Sequence, residues 1–155
     1  MIEEILEQHP KCLWIRIDQD QLQWMNHDGS IRKTQLPKQP YHHPRTFFAD
    51  YPPALEALNE LLKDLSNWQK SWVPVLALQV MEAPAGGLSA IELRALRELA
   101  YEAGIPNIII YDRDGQPLTE EPMKVINMRQ LMRWLKILLV LIILVVIAVN
   151  WYFTL

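Results

Sequence analysis

Four histidines, one cysteine and one serine at a helix start are the side chains best suited to chemistry in this sequence. His42-His43, with His9 and His27, could in principle hold zinc through their ring nitrogens. No Cys or carboxylate joins them at ligand spacing, so they read as loop histidines in solvent. Cys12 has no second thiol to pair with, which suits a reducing compartment. Its place at the head of an apolar strand pattern favours a small buried hydrophobe over a reactive thiol. Gly86-Gly87 lacks the strand, Gly-x-Gly, helix spacing that cradles a dinucleotide and reads as a turn. Ser89 lacks the G-x-S-x-G setting of an activated nucleophile. It is committed to capping instead, because Ser89 and Glu92 form a Ser-x-x-Glu capping box. These residues predict no catalytic set, no metal and no cofactor.

The elements that carry them are legible in the hydrophobic pattern. Leu13, Ile15 and Ile17 alternate with Trp14, Arg16 and Asp18, which predicts a strand over 12–18. A second strand follows over 20–26, the triplet His27-Asp28-Gly29 turns the chain, and a third runs over 30–36. The stretch "LPKQPYHHPRTFFADYPP" is Pro-rich and aperiodic, a long connection. Pro52 and Pro53 can open a helix over 52–69, since proline in the first turn loses no hydrogen bond. Leu55, Leu58, Leu61, Leu62, Leu65 and Trp68 give it one apolar face. A buried strand is expected over 73–81, then a helix over 89–103 stopped by Gly104 and Pro106. A last strand over 106–111 completes an α/β domain of residues 1–118. Three antiparallel strands followed by two crossovers predict a mixed five-stranded sheet with flanking helices. Residues 119–136 are expected to be a juxtamembrane linker or helix.

The end of the sequence is of another kind. From Ile137 to Val149 every residue is apolar, and only Asn150 and Thr154 interrupt the run to Leu155. As a helix, residues 137–155 would span about 28 Å, close to the hydrocarbon thickness of a bilayer. Arg129, Arg133 and Lys136 precede the run with Trp134, and Trp151, Tyr152 and Phe153 follow it like an aromatic belt. The expectation is a tail-anchored, single-pass protein of the inner (cytoplasmic) membrane, with its N-terminal domain in the cytoplasm. The acidic start "MIEEILEQHP" is unlike a signal peptide. Asn150 reads as reaching the far interface; as a buried polar group it would instead join helices into oligomers. Net charge is −3 with Lys and Arg dispersed, which argues against nucleic acid as a partner.

The segment "MEAPAGGLSAIELRALRELAYEAGIPNIIIYD" resembles the part of actin and its bacterial relatives, MreB and FtsA among them, that follows the fourth strand of the first subdomain. Glu82, Ala83 and Pro84 match a Glu-Ala-Pro at that strand's end. Glu92, Arg94, Ala95, Ala103 and Gly104 match a helix with a Glu-Arg-Arg-Ala pattern ending in Ala-Gly. The resemblance covers about thirty residues by motif and about one hundred by order of elements. It implies a ribonuclease-H-like sheet, the half of an actin-like fold. The phosphate loops that the family uses are not matched: "IDQDQLQW" follows Asp18 with no Gly or Thr. The second, adenosine-binding half has no room in this chain, so an ATPase is not expected. Ribonuclease-H-like nucleases hold two metal ions about 4 Å apart on carboxylates. By that likeness Asp18, Glu56 or Glu60, and Asp112 form the alternative catalytic set, a metal-dependent nuclease at the membrane.

The expected function is a non-catalytic adaptor or scaffold subunit that holds a protein partner at the cytoplasmic membrane face. Its outline resembles the inner-membrane platform subunits of type II secretion and type IV pilus machines, without their periplasmic domain. Cell-shape and division complexes are the other setting. A structural subunit of a larger membrane complex is a further alternative. Candidate contact residues are Arg32 and Lys33 on the third strand, expected at a sheet edge, and Phe47, Phe48 and Tyr51 in the Pro-rich connection. Those aromatics, with Tyr41, either enrich a contact surface or fold back over the sheet. The membrane anchor is assigned to Trp134, Lys136, Ile137, Val149, Trp151 and Tyr152.

Overall fold

A computed structural model describes residues 1–18, 21–41, 46–47, 50–70, 72–84, 86–119 and 137–138. The chain divides into two compact units, Met1–Met123 and Lys124–Leu155. The first unit is α/β. Among the described residues it holds five strands in one mixed sheet and four helices.

The strands are β1 (Leu13–Ile17), β2 (Leu22–Met25), β3 (Ile31–Gln35), β4 (Leu76–Val80) and β5 (Ile108–Tyr111). Their order across the sheet is β3-β2-β1-β4-β5. β2 runs antiparallel to both β1 and β3, whereas β4 is parallel to β1 and to β5. β3 is thus at one edge, as expected. The hairpin between β2 and β3 closes with Asn26 N–H donating to Ser30 O at 2.8 Å. Gly29 there has φ +83°, a conformation glycine adopts without steric cost. Trp24 pairs with Lys33 and Met25 with Ile31, so Arg32 is the extra residue of a bulge.

Alternation assigns the side chains to two faces. Leu13, Ile15, Ile17, Leu22, Trp24, Leu76, Leu78, Ile108 and Ile110 form the main core with helices α2 (Tyr51–Leu61) and α4 (Ala90–Glu102). On the other face Trp14, Met25, Ala77, Ile109 and Tyr111 pack with Ile2 and Leu6 of α1 (Ile2–Gln8). That first helix was not expected. Ile2, Ile5 and Leu6 stand at helical spacing, but seven residues are only about two turns, too short to be stable without the sheet beneath them.

The helix expected over 52–69 is two pieces. α2 ends at Leu61, and α3 (Asn67–Lys70) begins after a turn. A second capping box causes the break: Gln69 N–H donates to Ser66 Oγ at 3.2 Å, and Ser66 N–H donates to Gln69 Oε1 at 2.8 Å. Leu65 still packs on the core, but Trp68 is turned outward and is 60% exposed. α4 matches its sequence signals closely. Ser89 caps its start, and Gly104, with φ +94°, closes its end. Gly104 N–H donates to Tyr101 O and Ile105 N–H to Ala100 O, the paired bonds of a Schellman motif. Gly104→Ala is expected to cost about 1–2 kcal/mol, read by urea unfolding, because an L residue is strained at that φ.

Among the described residues no helix is long and apolar enough to cross a membrane. Of the apolar run only Ile137 and Leu138 are described, both helical and both exposed. Trp134, Lys136, Val149, Asn150, Trp151 and Tyr152 lie outside the described residues, as do Arg129 and Arg133.

Candidate functional site

The carboxylates of the alternative nuclease set do not converge. Asp18 follows β1, and its backbone N–H donates to Gln21 O across the β1–β2 turn. Asp112 follows β5, which β4 separates from β1, so the two ends stand roughly 10 Å apart at ordinary strand spacing. Asp112 Oδ1 accepts from Gln116 N–H at 2.8 Å, and Gly115 N–H donates to Asp112 O at 3.1 Å. It is the first residue of a hairpin-like turn. Glu60 pairs with Lys63, and Glu56 with Lys38, both on solvent-exposed surface. The Lys63 ammonium holds the Glu60 carboxyl below the usual range. Among the described residues no three His, Cys, Asp or Glu side chains are placed to hold a metal ion. His42 and His43 lie outside the described residues.

Cys12 is buried, and burial pushes its thiol up to about 11, so it stays protonated at neutral pH. Its Sγ lies 3.8 Å from His27 Nε2, which also contacts Cys12 O at 3.3 Å. The pair joins the start of β1 to the β2–β3 turn.

The buried charge that does organise its surroundings is Glu92, 7% exposed. One carboxylate oxygen, Oε2, accepts from Ser89 N–H and Ser89 Oγ–H, each at 2.8 Å. The other, Oε1, accepts from Thr46 Oγ–H at 2.8 Å and Phe47 N–H at 2.7 Å. A helix cap therefore doubles as the clamp on the Pro-rich connection. Burial by itself would raise this pKa, but the Ser89, Thr46 and Phe47 donors outweigh it and the net shift is downward.

That clamp decides where the loop aromatics go. Phe47 is 1% exposed and Tyr41 fully buried, both in the main core. The Tyr41 hydroxyl donates to Asp18 O, stapling the connection to the β1–β2 turn. Phe47 therefore folds back over the sheet and presents no surface for capture. Tyr51 opens α2 and is partly buried; burial, then the nearby Glu102 and Glu98 carboxylates, push its hydroxyl up to about 12. Phe48 lies outside the described residues.

The β3 residues are also engaged. Lys33 Nζ donates to Glu60 O at 3.3 Å and Leu61 O at 3.1 Å, and pairs with Asp64 at 2.9 Å. It caps the C-terminus of α2, where unpaired carbonyls attract a cation. Lys33→Ala is expected to cost about 1 kcal/mol through those two carbonyls, seen as a lowered urea midpoint with an unchanged slope. The Arg32 guanidinium lies 4.3 Å over the Trp24 ring, a cation–π contact that covers the bulge.

Two arrangements gave little sequence signal. Gln79 is polar in the middle of an apolar strand and is buried. Its Oε1 accepts from Trp14 Nε1–H at 3.2 Å and Arg16 Nε–H at 3.1 Å, while its Nε2 donates to Arg113 O at 2.9 Å. It ties β1 and β4 to the turn after β5. The second is an exposed tryptophan pair: the Trp68 and Trp72 ring centroids are 5.7 Å apart, with planes tilted by 51°. An S-x-x-Q match at Ser66–Gln69 was the available clue that Trp68 leaves the apolar face.

No protein-family model matches the chain, and no curated protein matches it.

Proposed function

We propose that the protein is a membrane-anchored, non-catalytic adaptor whose α/β domain holds a protein partner at the cytoplasmic face of the inner membrane. The observation that carries this reading is the uninterrupted apolar run Ile137–Val149, flanked by Arg129, Arg133 and Lys136 on one side and aromatics on the other. The domain's best candidates for chemistry are each engaged in architecture: Ser89 and Glu92 in a cap and clamp, Asp112 in a turn, Cys12 in the core.

The sheet order β3-β2-β1-β4-β5, with β2 antiparallel to its neighbours, supports the ribonuclease-H-like, actin-half reading. Secretion or pilus assembly and cell-shape or division complexes are the settings that reading suggests. The contact surface does not include Phe47; Arg32 and Tyr51, each partly committed within the domain, are its remaining described candidates.

Deletion of residues 137–155 tests the reading. An adaptor domain freed from the membrane should still capture the same partner that the full chain brings down from mild-detergent extracts. Loss of that partner on deletion would favour a structural subunit assembled through its helix. Manganese-dependent cleavage of an RNA–DNA hybrid, abolished by Asp18→Asn, would overturn the non-catalytic assignment.

A further inference from the structure

We propose that Trp68 and Trp72 form a second, peripheral membrane contact, seating in the headgroup region of the bilayer that the apolar run enters. The inference rests on the anchorage reading above. Both rings project from one side of α3 and the turn that follows, and they are 60% and 61% exposed. Lys70, on the opposite side, is buried with its stem against Gly104. Single exposed apolar residues need no explanation, but two adjacent indoles form a patch that does. Around them Ser66 and Gln69 cap α3, Trp72 N–H donates to Gln69 O, and Val73 N–H donates to Lys70 O.

Indole chemistry points to the lipid interface. Its body is apolar, its N–H seeks water or a headgroup acceptor, and tryptophan concentrates at that depth for this reason. The flanking charges leave the patch nearly neutral. Lys63 pairs with Glu60, Asp64 pairs with Lys33, and Lys70 is withdrawn. A zwitterionic surface therefore suffices, and binding should tolerate salt.

Reach favours the same occupant. Thr119 receives a bond from Ile110 N–H, and the apolar run starts eighteen residues later at Ile137. Even fully extended, that stretch covers at most about 60 Å, so an anchored domain cannot leave the surface. Tethering makes a weak interfacial contact effectively intramolecular.

The test uses the full chain in phosphatidylcholine vesicles, with lipids brominated near the headgroup end of the acyl chain as quenchers. Of six tryptophans, Trp14 and Trp24 are buried in the domain, which leaves Trp68, Trp72, Trp134 and Trp151 to report. Trp68→Ala/Trp72→Ala should lower shallow quenching by about half, and each single substitution by about a quarter, unaffected by 0.5 M salt on the order used to screen surface charge. The single variants serve if the double variant unfolds by circular dichroism. Unchanged quenching in vesicles that float with the protein would overturn this contact alone. So would protection of the pair from aqueous acrylamide without lipid quenching, the mark of a protein partner or a second copy. Failure of the intact chain to float would overturn the anchorage itself, and this contact with it.

Discussion

Replacing Leu141 and Leu144 together by arginine should move the chain from the membrane pellet to the supernatant of an alkaline carbonate wash. On the insertion scale each arginine near a helix centre costs about 2.5–3.5 kcal/mol, and each leucine lost forfeits roughly another 0.5 kcal/mol. The pair therefore shifts the balance by about 6–8 kcal/mol. The apolar run contributes a similar total, at about 0.3–0.6 kcal/mol for each Leu, Ile or Val. Two charges can thus cancel what the whole stretch supplies, whereas Leu141→Ile/Leu144→Ile should stay in the pellet. An arginine pair that remains carbonate-resistant would mean something other than this run holds the chain.

The second large effect belongs to Glu92. Glu92→Ala is expected to destabilise the domain by about 1–3 kcal/mol, because Phe47 N–H is left buried without an acceptor. Ser89 N–H sits at an exposed helix start, where water can replace the carboxylate. The two hydroxyls can rotate toward other partners and add less. Glu92→Gln keeps the shape and one oxygen, but its NH2 must face one pair of donors, so about half that loss is expected. Urea unfolding of the detergent-solubilised chain, followed by near-ultraviolet circular dichroism, measures both.

The same carboxylate gives the stability a direction with pH. Its folded pKa lies below the unfolded value of about 4.3, so its contribution is fully present above about pH 5. As pH falls through the depressed folded value, protonation removes it. Wild-type stability should thus drop on acidification more steeply than that of Glu92→Gln, and the two curves should approach each other at low pH. Parallel curves would show that the group is not held ionised as described.

Some of this was legible in the residues alone. The alternation of Leu13, Ile15 and Ile17 placed β1 within a residue, since a strand with two packed faces needs a period of two. Ser89, Glu92 and Gly104 marked both ends of α4, because caps are local chemistry between neighbours in sequence. The break between α2 and α3 was also local, at Ser66 and Gln69, yet a continuous leucine period concealed it. α1 went unread although Ile2, Ile5 and Leu6 stand at helical spacing, because about two turns do not hold a helix without the sheet they pack on.

The candidate site was less legible, and for a physical reason. That Glu92 would reach Thr46 and Phe47, forty-five or more positions away, depends on how the connection crosses the end of the sheet. Nor does local pattern say that Lys33 would cap α2, or that Gln79 would receive Trp14 and Arg16. By itself the sequence determined the strands, the caps of α4 and the apolar run from Ile137, all properties of neighbours within one or two turns. That Phe47 of the Pro-rich connection is core was decided by the tertiary structure. Phe47 and Trp68 are alike in hydrophobicity, and only the long-range Glu92 clamp buries one while the local Ser66–Gln69 cap turns the other outward.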